Sequence, residues 1–233
     1  MGNEGPDLET AQRPRSDPRE ARLPGFVGIY LSASKLEFWF DFGSTYSYVS
    51  AARIEGEAEA AGVPVSWELF LLGPIFKEQG WDDSPFNVYP AKGRYMWRDL
   101  ERLCDGYVIP FARPTRFPRS GLLAARVACL AGAASEPWLP DFCLAVFRAN
   151  FAEDREIGDP EEVRAILDSL DLPGRELAER AGTPENKRLL RDRTSRAGEL
   201  GIFGAPSFVI GGELFWGNDR LVDALNWASS RAD

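Results

Sequence analysis

The sequence predicts an α/β fold in which two small strand-and-helix units frame a large all-helical insert. Three observations carry this. A strand-helix-strand pattern fills residues 36–70, a series of helices without a strand signal occupies 73–182, and a helix-hairpin-helix pattern closes the chain over 183–228. A chain of 233 residues, 44% of them hydrophobic, has enough apolar side chains for a substantial core.

Residues 1–34 are rich in Pro, Arg, Asp, Glu and Gly and show no periodicity before Phe26–Leu31. They are expected to form a disordered extension. Residues 36–42 follow as a short apolar strand. Residues 45–62 read as one helix, with small or apolar side chains at Tyr48, Ala51, Ala52, Ile54, Ala58 and Ala61, closed by Gly62. Val63–Phe70 is a second strand, with Pro64 at its start, where a missing N–H is tolerated. A strand-helix-strand unit makes these two strands parallel and their crossover right-handed.

In the insert, Pro90–Leu103, Arg119–Ala133, Leu139–Asn150 and Pro160–Leu170 carry apolar residues at three-to-four spacing between Pro- and Gly-rich breaks. Asp159-Pro160-Glu161-Glu162 is an N-cap followed by Pro at the first helical position and acids in the first turn. Thr183-Pro184-Glu185 repeats that signal and opens a helix that runs to Gly201. Ser207–Ile210 and Glu213–Trp216 form a hairpin, with Gly211-Gly212 supplying the positive φ of a tight primed turn. Asn218–Ala228 is the last helix, capped by Asn218 or Asp219. The expected organisation is one domain from residues 35–72 and 183–233, interrupted by an all-α insertion domain over 73–182.

Composition excludes several kinds of chemistry. A formal net charge of −9 and a pI near 4.8 argue against nucleic acid as a partner, which wants a basic surface. The absence of histidine removes Ser-His-Asp and Cys-His catalysis and HExxH zinc sites together. Cys104, Cys129 and Cys143 are widely spaced and form neither a metal nor a CxxC pattern, so they read as reduced thiols packed in helices, and no metal site is expected. No apolar run approaches the roughly 20 residues of a membrane span. The N-terminus lacks a signal-peptide pattern, and the expectation is a cytoplasmic protein without a membrane partner.

Two segments stand out as a candidate site. Phe40-Asp41-Phe42-Gly43-Ser44-Thr45-Tyr46-Ser47-Tyr48 ends a strand and delivers the Ser44 hydroxyl to a helix N-terminus. Free backbone N–H groups and the positive dipole end favour an anion there. Taken alone, Ser44 is equally an ordinary N-cap. Asp41 either tunes the site or ends the strand, and is assigned no role. Far downstream, Gly204-Ala205-Pro206-Ser207-Phe208 puts a Pro directly before a β-rich run.

This layout resembles a thioredoxin-like fold interrupted by a helical domain. The Gly43-Ser44 helix opening, Gly201-Ile202-Phe203-Gly204-Ala205-Pro206-Ser207-Phe208 and Phe215-Trp216-Gly217-Asn218-Asp219-Arg220-Leu221 together resemble the 2-hydroxychromene-2-carboxylate isomerases. Those are relatives of the kappa-class glutathione transferases and, more distantly, of the DsbA-like oxidoreductases. Gly73-Pro74-Ile75-Phe76-Lys77 and Pro90-Ala91-Lys92-Gly93-Arg94-Tyr95 also fit the group, and the resemblance extends over residues 36–230. A redox member carries Cys-x-x-Cys where this chain has Ser44-Thr45-Tyr46-Ser47, so dithiol chemistry is not expected.

The resemblance implies glutathione as cofactor and Ser44 as the catalytic residue, holding the glutathione sulfur. It implies that Ala205 pairs through its backbone with the cysteinyl segment and that Pro206 is cis. Asn218 and Asp219 would take the γ-glutamyl carboxylate and ammonium. Lys77, Asn87 and Lys92 become candidates for facing the substrate, Lys77 near a substrate carboxylate and Asn87 in place of an Asn that relatives carry near Trp81. Lys92 could instead meet the glycyl carboxylate of glutathione, and either lysine could be a solvated surface residue. Tyr95, Trp97 and Phe117 read as helix core, and Arg94, Arg98, Asp99 and Arg102 as a charged face. The implied activity is glutathione-dependent isomerisation of an aromatic-degradation intermediate, with a small aromatic or oxo-acid substrate as partner. A kappa-like transferase and a non-catalytic thioredoxin-like binding module are the alternatives. A homodimer is usual among kappa-class relatives.

Overall fold

The structure, a computed structural model, describes residues 35–230 beside the terminal Met1. The extension expected over 1–34 therefore lies outside the described residues. Four strands, β1 (Leu36–Phe40), β2 (Val65–Leu69), β3 (Ser207–Ile210) and β4 (Glu213–Trp216), form one mixed sheet in the order β2-β1-β3-β4. β1 runs parallel to β2, with Leu36 opposite Val65, and antiparallel to β3, with Phe38 opposite Phe208. The β3–β4 hairpin turns through Gly211 and Gly212 at φ 57° and 91°, the pair of positive values that a primed two-residue turn requires.

Alternation along β1 assigns its two faces. Leu36, Phe38 and Phe40 point to one side, and Trp39 points to the other. The strand is nevertheless almost wholly buried, because helices cover both faces.

Helix α1 (Thr45–Ala51), α2 (Ile54–Ala61), α3 (Leu72–Glu78), α4 (Pro85–Val88) and α5 (Pro90–Gly106) follow in chain order. The remainder are α6 (Leu122–Ala134), α7 (Leu139–Phe151), α8 (Pro160–Ser169), α9 (Gly174–Ala181), α10 (Pro184–Glu199) and α11 (Leu221–Ser229). The Phe38 face carries one continuous core that includes Phe142 and Phe147 of α7 and Leu225 of α11. There Phe147 lies 5.8 Å from Phe40 and 5.2 Å from Phe42, ring centre to ring centre. Burying an aromatic side chain of this kind contributes about 1.5–3 kcal/mol. The insert thus packs directly on the sheet. The Trp39 face is closed by Ile75 of α3 and Ala197 of α10.

Three expected helices differ in their ends. The single helix over 45–62 is two, broken at Ala52–Arg53, because α1 packs on α5 and α7 while α2 packs on α11. Arg53 fixes the break by donating to Glu57 and to Asn218 Oδ1. The helix expected from Arg119 starts at Leu122, since Arg119 is drawn into a buried loop network. At the C-terminus, Asn218–Arg220 is a 3-10 turn and α11 begins at Leu221 without a side-chain cap. Asn218 and Asp219 do not cap this helix.

Candidate active site

A cleft of about 1200 Å³ lies where the C-terminal ends of β1 and β2, the loops flanking the β3–β4 hairpin, and the insert helices come together. Ser44, Ala205, Asn218, Asp219 and Lys92 line it, whereas Pro206, Lys77 and Asn87 do not.

Ser44 is only 8% exposed and sits at the junction of three segments. Its oxygen accepts from Ser47 N at 3.2 Å, the N-cap bond of α1. Its hydroxyl donates to Ala205 O at 3.0 Å, and its amide donates to Asp41 O at 3.0 Å. N-cap and cross-loop contact are therefore both present. Helix α1 has only seven residues, so the local donors at its start, rather than a long helix dipole, carry its electrostatics.

The loop facing Ser44 holds a cis Ala205–Pro206 bond. It is anchored from below, with Gly217 N donating to Pro206 O at 2.9 Å and Ser207 Oγ to Gly204 O at 2.9 Å. The Ala205 amide has no hydrogen-bond partner among the described residues. Gly204 is required here by close approach, since a Cβ would stand 2.5 Å from Nε1 of Trp216. At the next turn Gly217 adopts φ 111°, and a Cβ there would meet the Asp219 carboxylate at 2.6 Å.

Asn218 is 5% exposed. Its Oδ1 accepts from Ser50 Oγ at 3.0 Å and Arg53 Nη1 at 3.1 Å, which ties the 3-10 turn to α1. Asp219 is open to solvent and pairs with Arg220 at 3.0 Å, while Arg220 also holds Asp223 at 2.7 Å.

On the insert wall the predicted residues scatter. Lys77 is exposed on α3, turned away from the buried Ile75 that anchors that helix. Asn87 is exposed and donates to both oxygens of Asp83 and to Phe117 O. Lys92 does line the cleft, its ammonium 4.9 Å from the centre of the Tyr89 ring.

The aromatic residues and the charged face also divide. Trp97 is core and Tyr95 is exposed, but Phe117 lines the cleft, packed edge-on against Trp97 at 4.9 Å. Asp99, expected on a solvated face, lines the cleft and accepts from Tyr46 Oη at 3.0 Å and Arg102 at 2.9 Å. Burial, reinforced by the Asp99 hydrogen bond, pushes the Tyr46 hydroxyl well above its ordinary pKa, so Tyr46 stays protonated as the donor.

Two features of the site escaped the sequence. Asp41 lines the cleft and uses both carboxylate oxygens, accepting from Gly43 N at 2.6 Å and Leu72 N at 2.9 Å. It clamps the Ser44 turn to the first turn of the insert. Burial pushes its pKa up, partly opposed by those two amide donors. Its place directly after a strand was visible, but a strand-ending Asp looks the same. Arg119 had no local signal. It is buried, donates to Asn150 Oδ1 at 3.2 Å and pairs with Asp154, and Asn150 in turn donates to Phe42 O at 3.1 Å, beside the Ser44 turn.

The thiols play no part in this geometry. Cys104, Cys129 and Cys143 are buried outside the cleft, and burial raises Cys104 to about 11, Cys129 to about 12 and Cys143 well above its ordinary value. Among the described residues no cluster of His, Cys, Asp or Glu could hold a metal ion, and no helix is long and apolar enough to cross a membrane.

A family model described as a DSBA-like thioredoxin domain matches residues 35–226. A 2-hydroxychromene-2-carboxylate isomerase of Sphingobium xenophagum is 27% identical over 188 residues, covering 80% of this chain and 93% of that protein. Glutathione S-transferase kappa 1 of Homo sapiens is 23% identical over 198 residues, covering 80% and 87%. Among solved structures, a 2-hydroxychromene-2-carboxylate isomerase superposes with a TM-score of 0.73 at 24% identity, covering 84% of this chain and 94% of that one.

Proposed function

This chain belongs to the DSBA-like thioredoxin domain family, and we propose that within it the protein is a glutathione-dependent isomerase acting on a small unsaturated substrate of aromatic or oxo-acid type. Its curated relatives include isomerases and kappa glutathione transferases, which supports an enzyme. One observation carries the reading further. The position a redox member gives to cysteine holds the Ser44 hydroxyl, pinned between its own helix and the carbonyl before a cis-proline on the wall of a large cleft.

The residues present fit glutathione. Ala205 offers an amide unpartnered among the described residues next to its carbonyl, the pair a peptide needs to add itself strand-like to this loop. At the neighbouring turn, which Gly217 N ties to Pro206 O, the solvent-open Asp219 carboxylate lines the same cleft and matches an ammonium. When bound, glutathione would supply the nucleophilic sulfur that adds to the substrate and is later expelled. Ser44 donates a hydrogen bond that favours thiolate over thiol, whose ordinary pKa is about 8.5. Its single proton is committed to Ala205 O in this state, so it turns from the carbonyl to do so. That turn frees Ala205 O to accept from the peptide. Asp41 keeps the Ser44 turn in place through Gly43 N.

The kappa relatives favour a second reading, a transferase that releases the conjugate. Calorimetric titration with glutathione, followed by product analysis with a panel of aromatic enones, separates the two. Isomerised product with glutathione unconsumed supports the isomerase, and a stable conjugate supports the transferase. Absence of glutathione binding overturns both and leaves a non-catalytic binding module.

A further inference from the structure

We infer that the chain carries a second ligand site, outside the main cleft, that takes a small phosphate monoester. A separate hollow of about 450 Å³ lies where α4, α5 and the loop after α5 meet. That volume falls in the range of small-molecule sites, about 300–1,000 Å³. Arg94, Arg98 and Arg113 line it, with Glu101 as the one acid among the described residues of its wall. Asn87, expected to face the substrate, lines this hollow and not the cleft. The site stands apart from the glutathione reading and does not depend on it.

Spacing along α5 builds the basic side of the hollow. Arg94, Trp97, Arg98 and Glu101 follow one another at i, i+3, i+4 and i+7, which sets them on one stripe of the helix. Arg98 is held by Glu101 at 2.6 Å. Arg94 and Arg113 make no ion pair or hydrogen bond among the described residues. Arg113 lies over the Trp97 ring, its guanidinium carbon 4.8 Å from the ring centre. Stacking of this kind orients a guanidinium and leaves the N–H donors at its edge free. Asp83, just before α4, gives both carboxylate oxygens to the Asn87 amide.

Three arginines against one glutamate leave two positive charges in excess, in a chain whose net charge is −9. A carboxylate carries one negative charge, whereas a phosphate monoester approaches two at neutral pH and offers three acceptor oxygens. Two unengaged guanidinium forks match the second of these. Phe86, Pro90 and Trp97 line the same hollow and supply apolar surface for the organic body behind the phosphate.

Phenyl phosphate is the probe, titrated calorimetrically into the full chain at fixed low salt beside benzoate and inorganic phosphate. It is expected to bind saturably, about ten-fold more tightly or better than either comparator. Arg94→Gln should weaken it about ten-fold, the scale of one charge-assisted contact. That side chain has no partner among the described residues, so the variant should melt as the native protein does. Glu101→Gln frees Arg98 and should tighten binding. Two controls locate the ligand. Lys92→Gln removes a cation of the main cleft, and Arg175→Gln with Arg188→Gln removes two exposed arginines that line neither cavity. Both should leave phenyl phosphate affinity within about two-fold. No saturable binding, equal binding of benzoate or inorganic phosphate, affinity unaltered by Arg94→Gln, or a loss in either control as large as that of Arg94→Gln would overturn the inference.

Discussion

The sheet wall and the insert wall of the cleft differ in what holds their polar groups. On the sheet side, Ser44 and Asn218 are nearly buried, and each is bonded to more than one segment. Asp41 gives both oxygens to backbone amides from two different loops. On the insert side, Lys92 lines the cleft while Lys77 and Asn87 stand outside it, all three exposed side chains on separate helices, and α3 and α4 span only seven and four residues. One wall is a rigid frame in which backbone and short side chains set the geometry. The other is a rim whose long side chains can be exchanged at small cost in stability.

The hardest challenge to that contrast removes the clamp of the rigid wall. Asp41→Ala leaves Gly43 N and Leu72 N without their acceptor, and stability should fall by about 1–3 kcal/mol, judged by the cost of two part-buried donors losing their partner. Denaturant unfolding measures this, and a loss below about 1 kcal/mol would show that the frame does not depend on Asp41. The sign of its pH dependence is also fixed. A carboxyl whose folded pKa is raised makes the native state bind more protons than the unfolded state. Its contribution is greatest below the ordinary value of 3.8 and declines as pH climbs to the raised value. Asp41→Asn should remove that segment of the slope in a melting-temperature profile taken against the native protein. Parallel profiles would contradict the assignment.

A smaller effect belongs to the edge of the frame. Asp219 makes no cap bond and, among the described residues, pairs only with Arg220 at the surface, an arrangement worth little to folding. Asp219→Asn should weaken glutathione about ten-fold, the scale of one charge-assisted contact, and leave the apo melting temperature nearly unchanged. Reduced apo stability with unaltered affinity would make the residue structural. The smallest effects fall on the rim. Lys77→Ala and Asn87→Ala should each leave glutathione affinity within about two-fold, since neither side chain lines the cleft. A larger loss at either position would erase the distinction between the walls.

The same division governs what was legible in the sequence. The βαβ unit, the Gly211-Gly212 hairpin and the Thr183 cap are local signals, and the structure forms each of them. The Ser44 turn was legible for the same reason, because strand, glycine and hydroxyl are adjacent. The break at Ala52–Arg53 was not, since it depends on Asn218, which reaches Ser50 across 168 residues of sequence. Arg119 read as a helical residue because its partners, Asn150 and Asp154, lie 31 and 35 positions away. Lys77 was placed by its motif. Which face of α3 turns inward is decided instead by Ile75 packing against Trp39 and Ala197, a contact no neighbouring residue announces.

We propose that Ser44 holds a glutathione sulfur as its anion. Ultraviolet absorbance of the bound thiolate, followed across pH in the native protein and in Ser44→Ala, addresses it directly. Bound glutathione should ionise below its free value of about 8.5, and Ser44→Ala should move it back toward that value. Turnover should fall about 10- to 100-fold in the variant, the worth of one hydrogen bond to an anion, with a smaller loss of affinity. A bound thiol in the native protein that ionises as it does in free solution would contradict the claim.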